Sequence, residues 1–281
     1  WAKRVEDRTG PLDRGQLQNC LDAILSKTYD GWYRSYLEAD GRHDFQYWGD
    51  VTAFEKDDSI AYNQGFLALA LRVAEELGLD PGEASSTQAA ENYRALFNAS
   101  EGFLSLSKKK PHLFSSDVLL PDLMAQVYFG EALLSRESVA AHIAALNRYA
   151  LTDYGYKIMC RADRDYPEDA DYDIPGYTAQ ANQGDFRDGG YHRGGSWFLY
   201  DCLCLLDGVM QNVPAAGQLL VWRIRLELDR FGTTFEYLNT KTGEPHKPNM
   251  GWNVALYALL RELGDSGRIS TEILKQIEDE V

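Results

Sequence analysis

The feature that most constrains this chain is its period: apolar residues recur at helical spacing over most of its length, and alternating stretches are scarce. Leu17, Leu21, Ile24 and Leu25 form one stripe, and residues 60–77 form a longer one that stops at Gly78. Tyr93, Leu96 and Phe97 mark a third. A fourth covers residues 117–130, with Pro121 tolerated near its first turn. Val139, Ile143, Leu146 and Tyr149 mark a fifth, with Ser135 as N-cap and Glu137 and Ser138 in the first turn. Residues 197–206, 218–228, 252–263 and 273–277 bring the expected helices to nine. Only residues 155–159 and 233–237 read as short strands. The expectation is an all-α protein, folded as a single domain over residues 1–281, because no linker or low-complexity boundary interrupts it.

Short polar connections between consecutive helices predict antiparallel hairpins. The connection over residues 151–193 is longer than an idle linker and rich in acids and aromatics, so it reads as functional, with a solvated excursion as the alternative. Its acidic part, residues 163–173, offers oxygen ligands for calcium but lacks the sixth-position Gly and closing Glu of an EF-hand, and reads as a solvated loop.

Charge narrows the partners. With 28 Lys and Arg against 43 Asp and Glu, the net charge of -15 repels phosphate backbones and anionic headgroups, which argues against nucleic acid and membrane surfaces. No apolar run approaches the roughly 20 residues that span a bilayer. Cys20, Cys160, Cys202 and Cys204 show neither a metal-ligand spacing nor a disulfide framework. They read as buried small hydrophobes in a reduced protein, which favours a soluble, cytoplasmic one. The first residues, Trp-Ala-Lys-Arg, lack Met, so the chain is processed or a fragment and any targeting signal is out of view. The Gly-x-Ser-x-Gly elbow and the phosphate-binding Gly-x-x-x-x-Gly-Lys-Ser/Thr loop are both absent from the sequence.

Three segments carry more specific information. Leu119-Leu-Pro-Asp-Leu-Met-Ala leads through Leu134 to Leu146 as a helix hairpin. Tyr191-His-Arg-Gly-Gly-Ser-Trp197 is a Gly-rich loop entering an apolar helix that holds Tyr200 and Leu205. Phe235-Glu-Tyr-Leu-Asn-Thr-Lys-Thr-Gly243 places a lone Glu236 beside Tyr237 and a Thr-Gly turn, ahead of Gly251-Trp-Asn-Val-Ala-Leu-Tyr257. In this order the segments resemble the six-hairpin glycosidases, nearest the trehalase, processing α-glucosidase and amylo-1,6-glucosidase group, over roughly residues 44–262. The resemblance implies an (α/α)6 toroid. Nine helices fall short of its twelve, so either N-terminal helices are missing or some hairpins escape the pattern.

The resemblance also implies an inverting glycoside hydrolase that needs no cofactor or metal, cleaving an α-linked glucoside or related oligosaccharide. Its general base would be Glu236. The general acid would be an Asp ahead of the helix at residues 60–77. The family's Trp-Asp or Met-Asp pair is absent here, since Gly49 separates Trp48 from Asp50, and the acid stays open between Asp50 and Asp44. Asp50 is preferred because it follows the Trp-Gly pair and precedes Phe54 at a familiar spacing. Inversion requires the two carboxyl groups to stand about 6.5–9.5 Å apart, leaving room for the attacking water.

The acid must keep its proton near neutral pH, and Glu55-Lys-Asp-Asp58 supplies negative charge for that; alternatively, Asp57 or Asp58 caps the following helix. Sugars present C-H faces and hydroxyl edges, which call for aromatic platforms with polar neighbours. Trp48, Tyr191, His192, Trp197 and Trp252 are the candidate platforms, and Arg187, Asp188, Arg193 and Asn253 the candidate polar partners. A sugar epimerase or polysaccharide lyase on the same barrel would rest on His192 or His246 instead. A non-catalytic carbohydrate-binding protein would keep the aromatics and dispense with both acids.

Overall fold

The computed structural model describes residues 10–34, 57–162, 189–191 and 194–278, with backbone alone at 36–37 and 43–44. Nine α-helices lie among them: α1 (Arg14–Leu25), α2 (Ala61–Leu77), α3 (Ser86–Arg94), α4 (Leu120–Phe129), α5 (Arg136–Ala145), α6 (Phe198–Met210), α7 (Ala216–Phe231), α8 (Gly251–Asp265) and α9 (Thr271–Glu278). Local chemistry sets many of their ends. Asp13, Ser85 and Ser135 cap α1, α3 and α5 by accepting from the backbone N–H groups of Gln16, Gln88 and Ser138. Gly78, Gly130 and Gly232 take the left-handed conformation that stops α2, α4 and α7.

Several expectations are corrected. Trp197 stands one residue ahead of α6 as its N-cap and lies in β1 (Ser196–Trp197), the edge of a three-stranded antiparallel sheet with β2 (Phe235–Leu238) and β3 (Pro245–Pro248). Phe97 pairs with Leu104 in a small hairpin after α3 has ended at Arg94. Neither Asp57 nor Asp58 caps α2, whose N-cap is Ile60 without a side-chain bond. Asp58 is instead buried, accepting from the backbone N–H groups of Ser59 and Lys109 and from the Ser107 hydroxyl. Cys20 is exposed, while Cys160, Cys202 and Cys204 are buried thiols.

The helices form two layers. α2 packs on α4, α4 on α6 and α6 on α8, so alternate helices make an inner row. Behind it, α1 and α3 back α2, α5 and α7 back α6, and α9 packs on α7 and α8. Gly65 permits the first inner contact: a Cβ there would stand 2.4 Å from Pro121 Cβ, so any larger residue would push α2 off the start of α4. Four inner helices are fewer than a closed six-hairpin ring contains, and closure is not seen among the described residues. No described helix is long and apolar enough to cross a membrane.

Two buried polar clusters stitch the layers. Asp122 of α4 accepts from the backbone N–H groups of Leu133 and Leu134 and from the Gln211 amide, while Gln126 donates to Asp207 of α6. Burial pushes both carboxyls upward, and Asp122 raises Asp207 further. In the second cluster, His142 of α5 accepts from Leu104 N–H at Nδ1 (3.1 Å), which puts its proton on Nε2, facing the Ser115 carbonyl at 3.1 Å.

Burial lowers the His142 pKa from 6.5 to about 4. The ring is therefore neutral in the folded chain. Its contribution to stability is complete above the unfolded pKa and is lost as pH falls through the folded one, a loss of about 3 kcal/mol between pH 6.5 and 4. Urea midpoints at pH 7, 5 and 4 should show this acid loss in the wild type and a shallower one in His142→Gln. Equal slopes in the two proteins would remove His142 as the cause.

Candidate active site

The site is built where chain segments enter the inner helices. β2 carries Glu236 between Phe235 and Tyr237, and alternation along a strand sends Glu236 to the face opposite its two aromatic neighbours. Both peptide groups of Phe235 are held from behind: its N–H donates to Glu227 Oε2 at 2.7 Å, and its carbonyl accepts from Asn253 Nδ2 at 2.8 Å. The strand beneath Glu236 is thus fixed on either side by buried side chains.

Glu236 is 7% exposed. Its Oε2 stands 3.1 Å from Lys247 Nζ, an ionic approach without a hydrogen bond's direction, since the same oxygen has no hydrogen-bond donor among the described residues. Lys247 sits on β3 with φ of 51°, a left-handed conformation uncommon for a side-chain-bearing residue, and its ammonium lies 5.5 Å from the centre of the Tyr191 ring. Its side chain is 52% exposed, so solvent weakens the pairing.

The other face of the sheet is aromatic. Tyr237 stacks on His246 (4.6 Å, 9°) and on Trp197 (5.7 Å, 28°), while Tyr191 meets Trp197 at 5.1 Å and Tyr237 at 5.6 Å. Trp197 and Tyr237 are buried in this stack. Trp197 was expected to offer a sugar an open face; it serves instead as a support beneath the sheet. Asn253 is likewise buried, its amide nitrogen donated to Thr234 and Phe235, which makes it a clamp on the strand. Trp252 is 43% exposed in the first turn of α8. Tyr191, with φ of 38°, is the expected platform residue that packs in this stack and has the Lys247 ammonium 5.5 Å from its ring centre.

Beneath the sheet lies a buried charge cluster. Arg223 of α7 donates from Nε to Asp201 Oδ2 (2.8 Å) and from Nη1 to Glu227 Oε1 (2.9 Å), while Ser196 Oγ also donates to Asp201 (2.8 Å). Burial pushes Asp201 and Glu227 upward against the pull of Arg223. Arg223 is held charged by the two acids although burial opposes it. Ser116 Oγ donates to Asp201 Oδ1 at 3.2 Å, which extends the cluster to the 3-10 turn Ser116–Leu119 ahead of α4.

That turn holds Asp117, and with Tyr62, Tyr200 and Lys247 it was missed from sequence. All but Lys247 occupy first turns or the approach to an inner helix. That position, not residue type, was the available signal. Asp50, Trp48, Arg187, Asp188, His192 and Arg193 lie outside the described residues, as does the acidic segment 163–173; for Asp44 only the backbone is described, paired with Tyr36.

No family model and no curated protein matches the chain. Among solved structures, a sialidase superposes with a TM-score of 0.52 at 14% identity, covering 84% of this chain and 22% of that one. GH63 mannosylglycerate hydrolase from Thermus thermophilus, in complex with Tris and D-glycerate, gives 0.48 at 16% identity over 71% of this chain. An alpha-amylase from Clostridium perfringens gives 0.37 at 10% identity, covering 97% of this chain and 87% of that one. This chain spans 45% of the length of the mannosylglycerate hydrolase. The sialidase likeness shows a shared helical fold.

Proposed function

We propose that this chain is an inverting glycoside hydrolase on an (α/α)6 framework, with Glu236 as the general base that activates water. One observation carries the reading. Glu236 is a nearly buried carboxylate on a doubly clamped strand, with an oxygen that accepts no hydrogen bond from the described residues and an ammonium 3.1 Å away. Such a group is held in place beside a cation and has an acceptor lone pair for the water it would deprotonate. The general acid is assigned to Asp50, with Asp44 as the alternative, and the substrate to an α-linked glucoside or related oligosaccharide. Tyr191 would offer its ring to the sugar, with Trp48, His192, Trp252, Arg187, Asp188 and Arg193 as the remaining proposed contacts. The strongly acidic chain favours a neutral saccharide over an anionic one.

The test is incubation with α- and β-linked glucosides and mannosides while proton NMR follows the first anomer released. Release of the anomer opposite to that of the substrate is expected for an α-glucoside. Retention of configuration would remove the inverting mechanism, and no release from any substrate would remove the glycosidase reading.

A further inference from the structure

Asp122 and Asp207 have no role in the reaction just described, and both are 0% exposed. One side chain joins them. The Gln126 amide nitrogen donates to Asp207 Oδ1 and, at 3.4 Å, to Asp122 Oδ2, so the inner helices α4 and α6 meet through two carboxyl groups that share a donor. Their surroundings otherwise differ. Asp122 Oδ1 accepts from the backbone N–H groups of Leu133 (2.5 Å) and Leu134 (2.6 Å), and its Oδ2 accepts at 2.6 Å from Gln211, the C-cap of α6. Each oxygen of Asp122 is thus faced by N–H donors. Asp207 has Gln126, and its Oδ2 is buried without a hydrogen-bond partner among the described residues.

This distribution of donors decides where a proton can sit. An ionised carboxylate only accepts, whereas a protonated carboxyl also donates. A proton on Asp122 would point at N–H groups from either oxygen and replace an accepted hydrogen bond with a repulsion. On Asp207 Oδ2 the proton meets no such donor, and it lets that orphaned oxygen donate to Asp122. Two bare carboxylates in this water-free contact would repel with little screening. The titration tendencies agree: burial raises both acids, and hydrogen bonding between them then raises Asp207 and lowers Asp122.

Neighbouring elements bring no counter-charge to the pair. Tyr93 of α3 and Cys204 of α6 are raised by burial and by the charge of nearby acids, so both stay neutral. The turn ahead of α4 brings Asp117, another acid. Arg94 of α3, Arg136 of α5 and Arg268 beyond α8 donate to the carbonyls of Leu133, Asn212 and Gln126, and Arg223 of α7 is paired with Asp201 and Glu227. His142 of α5 is neutral, and α2 meets α4 through Gly65 and Pro121.

We propose that the folded chain carries one proton on this pair, held by Asp207 and donated to Asp122, and that this proton fastens α4 to α6 in a joint that weakens as pH rises. The inference is independent of the glycosidase reading, since it concerns the packing of the inner helices alone. The unfolded chain releases such a proton near about pH 4, while the folded chain keeps it to higher pH. The contribution to stability is therefore complete below about pH 4 and is lost as pH rises through the folded value, the folding equilibrium constant falling about tenfold per pH unit in between.

Urea titrations of wild type, Asp207→Asn and Asp122→Asn at pH 5, 6 and 7 test this. The amide of Asp207→Asn keeps a donor for Asp122 and an acceptor for Gln126 but cannot titrate. Its folding equilibrium constant relative to wild type should rise about tenfold per pH unit, since the wild type alone must hold a proton. Asp122→Asn turns an amide donor towards Gln211 or towards Leu133 and Leu134, and should be the less stable of the two variants at pH 7. A ratio of Asp207→Asn to wild type that stays constant with pH would show that no proton is held there. The opposite ranking of the variants would place the proton on Asp122. Either result would overturn the proposal. Should Asp207→Asn fail to fold, Asp207→Ser keeps a hydroxyl donor without a titrating group, and its ratio to wild type is read the same way.

Discussion

Glu236→Gln is expected to fold like the wild type and to lose turnover by about 10²–10⁴-fold, the usual contribution of a positioned general base. The amide keeps the shape of the carboxylate and one accepting oxygen, so sugar binding should survive. What it loses is the capacity to take a proton from water. The stability cost should be small, because the partner left behind, Lys247, is 52% exposed and regains its hydration. A melting temperature close to the wild type, together with retained calorimetric binding and lost hydrolysis, is the expected pattern. Unchanged hydrolysis of the same glucoside would take Glu236 out of the mechanism.

The periodic segments were the legible part of this molecule. Residues 60–77 and 252–263 have long apolar stripes with clear stops, and they correspond to α2 and α8 within a few residues. Short strands were less legible. Ser196 and Trp197 pair with Leu238 and Tyr237 from far along the chain, and a two-residue strand has no period of its own for a sequence to display. Trp197 read as a helix start because the apolar run of α6 continues through it. Phe97 fits the stripe of α3 in the same way, yet its partner in the folded chain is Leu104.

The site was legible where chemistry is local. Glu236 stands out because a lone carboxylate among aromatics is unusual in a strand. Asp117 does not, since an acid near the start of an apolar helix is ordinary capping composition. Its burial arises from which helix ends meet: the turn that holds it is tied to α6 through Ser116 and Asp201, and that tie is a tertiary fact. Trp197 and Asn253 show the converse. Both types suit a sugar site, but burial in the stack and behind β2 decides their use.

Arg223→Met is expected to be the most destabilising of these substitutions, costing about 3–5 kcal/mol, because it strands two fully buried carboxyl groups whose cation it removes. The methionine fills much of the volume, so the loss reports charge and hydrogen bonds more than a cavity. Burial already raises Asp201 and Glu227. Without the guanidinium they must fold protonated, and the proton taken up makes folding less favourable as pH rises. The deficit should therefore be largest at alkaline pH and shrink as pH falls towards about 4, where unfolded carboxyls are protonated too. Denaturant midpoints of wild type and variant at pH 5 and pH 8 measure it, and a deficit independent of pH would contradict the stranded-carboxyl account. The same variant should lose turnover out of proportion to its folded fraction. Glu227 holds the N–H beside Glu236 and Asp201 holds Ser116 beside Asp117, so loosening Arg223 frees both acid-bearing segments together. Wild-type turnover per folded molecule in Arg223→Met would show that the two segments keep their spacing without the cluster.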